Sequence, residues 1–535
     1  MLYFLEEVLE MYARVLTASL IGLAGEKTWV EVDLEQGLPA FNVVGLVNQS
    51  IKESRDRIKS AIANCGFDFP LIRITANLTP ANRKKDGSHY DLPIALALLI
   101  AQDAAETGEY DDAFADGSIA CFGELSLDGK VNKVDGALSM LIELKNSGVS
   151  AVIIPKGNLS EAMLVKGMML YPVETLTEVL EFAAGLKNIA SVEADGNTNE
   201  YHENSFPDFA DIKGQEFAKR AAEVAAAGMH GMLMVGPPGV GKSMIGKRIP
   251  GIMPALSFQE RLDVTQIYSV AGLISEKNPL LCDRPFRAPH HTISAAALIG
   301  GGGNPKPGEI SLAHNGVLFL DEFPEFSTHT IDMLRQPLED GFVSITRVNG
   351  KVEYPSRFML VVAMNPCRCG YYGDSIKPCS CTESDRQKYL GRISGPLLDR
   401  IDINICMERI VYKELVEDYD FGNDKTNKKP RVIDSSALRK GVEAAFAMQE
   451  ARYKGEPISY NSQLTPQLIK KYCALDEESR GLMETAFTKW NLSARQYHRI
   501  LKVARTIADI DQSEQIKSDH ILEALSYRMP EKYFK

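Results

Sequence analysis

The sequence predicts a multidomain α/β chain that ends in a helical domain. Three observations predict it. A strand, a glycine-rich loop and a helix follow one another at Met232–Ser243; strands and amphipathic helices alternate before residue 185; helical periodicity prevails after residue 432. Two polar, aperiodic stretches separate these parts. With 535 residues the chain has room for three or four domains. Its 45% hydrophobic and 24% charged residues exclude wholesale disorder.

In the first part, Val30, Val32 and Leu34 alternate as on a half-buried strand. Ser50 and Glu53 have capping-box spacing, and Ile51, Ile58 and Ile62 recur at helical intervals until Gly66. Residues 72–76, 119–122 and 151–154 read as strands, and an apolar helix begins near Leu92. The stretches 185–207 and 417–430 lack periodicity and read as linkers. The resulting division is an α/β domain over 12–185, a linker over 186–207, an α/β core over 208–416, a linker over 417–432 and a helical domain over 433–535. In the last, Ile500, Leu501, Ala504 and Ile507 mark one helix, and Ile521, Leu522 and Leu525 another.

Composition narrows the function. Basic residues number 59 against 71 acidic, a net charge of −12, which argues against coating nucleic acid by bulk charge but leaves room for a locally basic pore or groove. The longest apolar run, Leu92 to Ala101, is half the ~20 residues a membrane span needs. The opening residues MLYFLEEVLE carry acids where a secretory leader is positive. Both features predict a cytoplasmic chain with no membrane segment.

The strongest chemical signal is GPPGVGKS, residues 236–243. Glycines at the motif's fixed positions let backbone N–H groups turn inward around phosphate oxygens. Gly236, Pro237, Pro238, Gly239, Val240 and Gly241, with the helix start at Lys242, Ser243 and Met244, are thus the candidate phosphate cradle. Lys242 is spaced to reach the β/γ-phosphates of ATP, and Ser243 to ligate Mg²⁺. The apolar strand 317–320 ends in Asp321 and Glu322, at the carboxyl edge where α/β sheets bind ligands. Asp321 is suited to hold Mg²⁺ through water and Glu322 to polarise the attacking water. A further strand, 359–363, leads to Asn365, which can position that water or simply turn the chain before Pro366.

Four of the nine cysteines, Cys367, Cys369, Cys379 and Cys381, fall within fifteen residues. Paired thiolates on two tight turns can close a tetrahedral Zn²⁺ site, the reading favoured over unliganded thiols. His290 and His291 are adjacent on an extended segment, which would point them apart, so a metal reading there is disfavoured.

The order phosphate loop, acidic strand end, polar strand end resembles that of AAA+ ATPases. More narrowly, the chain resembles the ComM/YifB branch of the magnesium chelatase-like AAA+ proteins from about Ala13 to Met529. The stretches that carry the resemblance include GLPAFNVVGL (37–46), FRAPHHTIS (286–294), NPCRCG (365–370), GPLLDRID (395–402) and SARQYHRILKVARTIADI (493–510). It implies that Arg400 is the arginine finger reaching a neighbour's nucleotide, although an Arg paired with Asp399 or Asp402 would look the same. It implies that Arg495 is the second sensor, and that Asp211, Ile212 and Gln215, in DIKGQ, lie near adenine. It marks 290–308 as a helix-2 insertion and 339–357 as a pre-sensor hairpin turning at Asn349–Gly350, both pore elements. Arg347 and Lys351 on that hairpin are candidate DNA contacts, the alternative being a solvated face.

Residues 12–185 resemble the Lon-protease domain, a ribosomal S5 domain 2-like fold. By KKDGSHYDLPIAL (84–96) and GELSLDGKVNKVDGALSML (123–141), the nucleophile position holds Asp91 and the general-base position Leu138. A Ser–Lys dyad needs both groups, so the domain is expected to be catalytically inactive. The resemblance implies a homohexameric, Mg²⁺- and ATP-dependent motor that translocates on DNA as a helicase or branch-migration engine in recombination of transforming DNA. A chelatase-like motor subunit or another protein-remodelling ATPase is the alternative.

Overall fold

The computed structural model describes residues 11–46, 48–81, 85–107, 112–196, 206–302, 305–347, 350–410 and 433–528. Its architecture is mixed α/β and multidomain. The first unit contains β1 (Tyr12–Ile21), β2 (Ala24–Glu35), β3 (Ala40–Val44), α1 (Gln49–Asn64), β4 (Arg73–Thr79), α2 (Asp91–Thr107), β5 (Ile119–Cys121), α3 (Ala137–Asn146), β6 (Ala151–Pro155), β7 (Met169–Val173), α4 (Leu176–Ala183) and β8 (Val192–Glu193). The strands form one sheet in the order β8-β7-β6-β5-β1-β2-β4-β3. The alternation of Val30, Val32 and Leu34 places all three in the core beneath the helices, and Ile51, Ile58 and Ile62 of α1 meet them there. The start of α1 differs from expectation. It opens at Gln49 behind Asn48, whose side chain makes no capping bond, so Ser50 falls inside the first turn and cannot serve as the cap.

The second unit contains α5 (Glu216–Gly228), β9 (Met232–Val235), α6 (Lys242–Ile252), α7 (Phe258–Ala271), β10 (Phe286–Arg287), β11 (Val317–Leu320), β12 (Phe342–Arg347), β13 (Gly350–Pro355), β14 (Met359–Met364) and β15 (Ile403–Cys406). β10, β11, β14, β9 and β15 make a five-stranded parallel sheet in that order. β9, β11 and β14 are buried along their whole length, as near-continuous apolar runs demand of a sheet covered on both faces. The β12–β13 hairpin pairs Arg347 with Gly350, so Gly350, expected in the turn, belongs to the strand; residues 348–349 lie outside the described residues.

The helical end contains α8 (Ser435–Arg452), α9 (Pro466–Tyr472), α10 (Glu477–Trp490), α11 (Ala494–Ile510) and α12 (Ser518–Ser526). A capping box of Ser493 and Gln496 opens α11. Val442, Leu501 and Ala504 join Ala221, Val224 and Ala225 of α5 in one core, so these helices are built onto the parallel sheet. The expected linker at 417–432 lies outside the described residues, as do residues 197–205 of the one expected at 186–207. Among the described residues no helix is long and apolar enough to cross a membrane.

The first unit is fastened to the second. Buried Glu161 accepts from the Leu138 amide at 3.0 Å and from Ser269 Oγ of α7. The Gly136 amide donates to Ser269 O at 3.0 Å, and Gln266 Nε2 to Leu23 O at 2.9 Å. Lys306 pairs with Asp135 at 3.1 Å. Gly22, at the β1–β2 turn, lies so close to the β12–β13 hairpin that a Cβ there would sit 2.5 Å from Val352 Cγ1.

Candidate nucleotide site

At the carboxyl edge of the parallel sheet, β9 runs into Gly236 and the loop returns at Lys242 as α6. Gly239 and Gly241 take left-handed backbone conformations (φ +83° and +94°), which glycine adopts without penalty. No side chain caps the 11-residue α6, so its N-terminal amides face the loop's hollow. Lys242 is buried and donates to Gly236 O at 2.6 Å, Pro237 O at 2.9 Å and Asn365 Oδ1 at 3.1 Å. Burial pushes its ammonium down to about 8, against the pull of the Asp321 carboxylate. Ser243 Oγ donates to Asp321 Oδ2 at 2.5 Å. Glu322 follows in a left-handed conformation (φ +50°), more than half exposed, with His291 Nδ1 3.5 Å from its Oε2. Lys242, Ser243, Asp321, Glu322 and Asn365, from three strand ends, therefore meet in one place. A hydroxyl against a carboxylate beside an ammonium is a donor set that suits a hydrated divalent cation on a polyphosphate.

Ile212 is buried in the same core as Val240 beside the loop, while Asp211 Oδ2 accepts from Arg248 at 2.7 Å. Met244 is exposed. Gln215, in a left-handed conformation, bridges the loop to the end of β15 by donating to Val240 O at 3.4 Å and Glu408 O at 2.7 Å.

Arg400 and Arg495 are elsewhere. β15 pairs with β9 in parallel, Ile403 beside Met232 and Cys406 beside Val235. Arg400 therefore sits at the amino edge of the sheet and the phosphate loop at the carboxyl edge. Arg400 and Arg495 line one cavity of about 710 Å³ between residues 337–341, 399–402 and α11. Arg400 pairs with Glu339, and neither Asp399 nor Asp402 takes it. Burial, then the charges of Arg495 and Arg335, hold its guanidinium below the usual range. The cavity's lining sets these cations among Glu339, Asp340, Asp399 and Asp402.

The four cysteines converge, their sulfurs all within 4.8 Å of one another. Sγ separations of 3.3, 3.5 and 3.6 Å approach the edge of about 3.8 Å that tetrahedral Zn–S bonds of ~2.3 Å would set. The amides of Cys369 and Cys381 each donate to a cluster sulfur at 3.4 Å. For Cys369, burial pushes upward, but the amides of Tyr371 and Ser380 and the neighbouring thiols outweigh it and hold it down to about 5. Burial pushes Cys367 up to about 12. This crowded, partly ionised set fits a thiophilic cation. The cluster also touches the phosphate loop: Gly370 (φ +86°) packs on Pro238, where an added Cβ would lie 2.8 Å from the ring.

His290 and His291 do not point apart; a turn brings their ring centroids to 4.0 Å. On the β12–β13 hairpin, Lys351 is exposed and pairs with Glu353 at 2.6 Å; the side chain of Arg347 lies outside the described residues. Asp91 is buried and bound by Arg57 at 2.8 Å and 3.1 Å, and Leu138 is buried in α3. Glu339, Gly370, Arg499 and His230 carry no spacing signal, and sequence reasoning passed over them.

Comparison with known proteins agrees with this architecture. The family model for magnesium chelatase, subunit ChlI, matches residues 208–415. The model for subunit ChlI of Mg-chelatase matches 30–158, and the ChlI C-terminal model matches 433–528. The YifB protein of Escherichia coli strain K12 is 39% identical over 516 residues, 96% of either chain. Competence protein ComM of Haemophilus influenzae is 38% identical over 520 residues, 96% of this chain and 97% of its own. A shorter match joins it to the zygotic DNA replication licensing factor mcm6 of Xenopus tropicalis, 23% identical over 227 residues, 41% of this chain and 24% of that one. The chain belongs to the magnesium chelatase-like AAA+ family that includes YifB and ComM.

Proposed function

We propose that the protein is a ring-forming ATPase motor that translocates on DNA and drives branch migration or unwinding of recombination intermediates. The observation that carries the ring is the division of the reactive groups between two edges of one sheet. Four residues of β9, each rising about 3.3 Å, separate the Lys242 edge from the Arg400 edge. Arg400 and Arg495 thus serve the nucleotide of another copy, and a closed ring, taken as a homohexamer, supplies each site with its neighbour's arginines.

Within a site, Lys242 and the amides of 236–244 hold the phosphates, with Asp211 and Ile212 flanking the base. Ser243 and Asp321 would hold Mg²⁺, which would neutralise phosphate charge. Glu322 takes the proton from the attacking water, Asn365 orients that water, and Arg400 with Arg495 stabilises the charge on the transferring phosphoryl group. Zn²⁺ at Cys367, Cys369, Cys379 and Cys381 is structural, tying residues 365–381 together behind the phosphate loop.

DNA is favoured as the track by the names of relatives, a competence protein and a replication licensing factor. The hairpin with Arg347 and Lys351 is the proposed grip. The first domain is a second tier of the ring without peptidase activity, because Arg57 neutralises Asp91 where a nucleophile would stand and Leu138 offers no base. A chelatase-like or other protein-remodelling motor is the second reading, supported by the magnesium chelatase family models. Steady-state ATP hydrolysis with and without forked DNA, with Lys242→Ala as blank, separates them. Severalfold stimulation that fades steeply with salt supports the DNA motor; hydrolysis indifferent to DNA supports protein remodelling.

A further inference from the structure

β9 joins the two edges of the sheet. Its carboxyl end becomes the phosphate loop, and its amino end is preceded by His230 and Gly231. His230 is fully buried. Its Nδ1 lies 2.8 Å from Asp402 Oδ2 and its Nε2 2.7 Å from Thr506 Oγ1. Asp402 stands two residues past Arg400; Thr506 lies on α11, the helix whose first turn carries Arg495.

The fit leaves no slack. A Cβ at Gly228 would lie 2.3 Å from His230 Nε2 and 2.6 Å from Thr506 Oγ1. Gly231 O accepts from the Ile403 amide at 2.9 Å. From the other side, Arg499 of α11 donates to Ile401 O at 2.8 Å. Beyond Thr506 the bonds continue through Asn461 to Asp509, each at 2.9 Å. One imidazole therefore ties the strand that ends in the phosphate loop to the segment that carries Arg400 and to the helix that carries Arg495.

We infer that His230 is a positioning residue for Arg400 and Arg495, linking the nucleotide state of a subunit's own site to the arginines it presents to the next. This role presupposes the ring proposed above. Removing the bridge frees the Arg400 segment to shift, and misplacing a catalytic group by ~1 Å costs about ten- to a hundredfold in rate.

The test is complementation between subunits of the full-length protein. His230→Ala is expected to lower kcat about ten- to a hundredfold while leaving the Kd for a fluorescent ATP analogue within about twofold, since its own phosphate loop is intact. His230→Asn, whose Nδ2 can replace Nδ1 against Asp402, should recover part of the rate. Mixed with Lys242→Ala subunits, which have sound arginines and no activity, His230→Ala should regain hydrolysis above either variant alone. Arg400→Ala mixed with Lys242→Ala is the control. If the control complements and His230→Ala does not, or if His230→Ala weakens nucleotide binding as much as it slows turnover, the role is overturned. If the control fails to complement, the ring reading itself is overturned and this inference with it. Should His230→Ala fold poorly, Thr506→Val removes one end of the bridge and is read the same way.

Discussion

Gly370 offers a quantitative test of how closely the cysteine cluster is joined to the nucleotide site. Replacing it by alanine adds one methyl group in a left-handed conformation (φ +86°), at a cost of about 1–2 kcal/mol. The new Cβ would also stand 2.8 Å from Pro238 Cδ and 2.9 Å from Cγ. Those atoms belong to a ring fixed to the phosphate loop, so no rotamer change relieves the contact, and overpacking of this kind costs roughly 1–3 kcal/mol. The sum is about 2–5 kcal/mol. If the loop moves to relieve it, even the lower figure weakens ATP binding by roughly 30-fold, at about 1.4 kcal/mol per factor of ten. The assay is titration with a fluorescent ATP analogue, paired with a thermal melt and a colorimetric zinc determination. Wild-type affinity and melting temperature in Gly370→Ala would refute the reasoning.

Four other outcomes follow from the same geometry. Lys242 titrates near 8 in the free protein, because burial disfavours its charge, and phosphate needs the charged form. Nucleotide affinity should therefore fall above pH 8, toward a limiting slope of about tenfold per unit, with proton uptake on binding visible in calorimetry. Arg57→Leu strips the partner from buried Asp91 and should destabilise the first domain by about 3–5 kcal/mol in urea melts; Asp91→Ser should not create casein hydrolysis. His89 and His314 are buried and held down to about 4, His314 accepting from the Arg357 amide at 3.0 Å. Both are neutral when folded and protonate on unfolding, so stability is full above pH 6.5 and falls as pH drops toward 4, by up to about 3 kcal/mol each. His314→Asn, an acceptor that cannot protonate, should roughly halve that slope in urea melts at pH 7, 6 and 5. Stripping metal with a chelator, or Cys369→Ser with Cys381→Ser, should release about one Zn²⁺ per chain and lower the melting temperature; a metal-free preparation of unchanged stability would count against the zinc site.

Much of the ATPase core was legible because apolar strands announce themselves. The bounds of β9 and β11 agree with the sequence reading, and the glycines of residues 236–241 have one dominant use. Asn349–Gly350 satisfies the chemistry of a two-residue turn, but the register pairs Gly350 with Arg347 and so puts it in the strand. The close approach of the His290 and His291 rings was illegible because a turn, not an extended strand, carries them. The separation of Arg400 from Lys242 could not be read from spacing; it follows from the parallel pairing of β15 with β9. His230, Arg499 and Gly370 act through contacts between segments distant in sequence, and no local pattern marks such residues.

The most direct test of the motor is branch migration of a synthetic four-way DNA junction with ATP and Mg²⁺, comparing the wild type with Glu322→Gln. The account predicts conversion to product duplexes by the wild type, and junction binding without conversion by Glu322→Gln. Junctions left unprocessed by a wild type that hydrolyses ATP at full rate would contradict it.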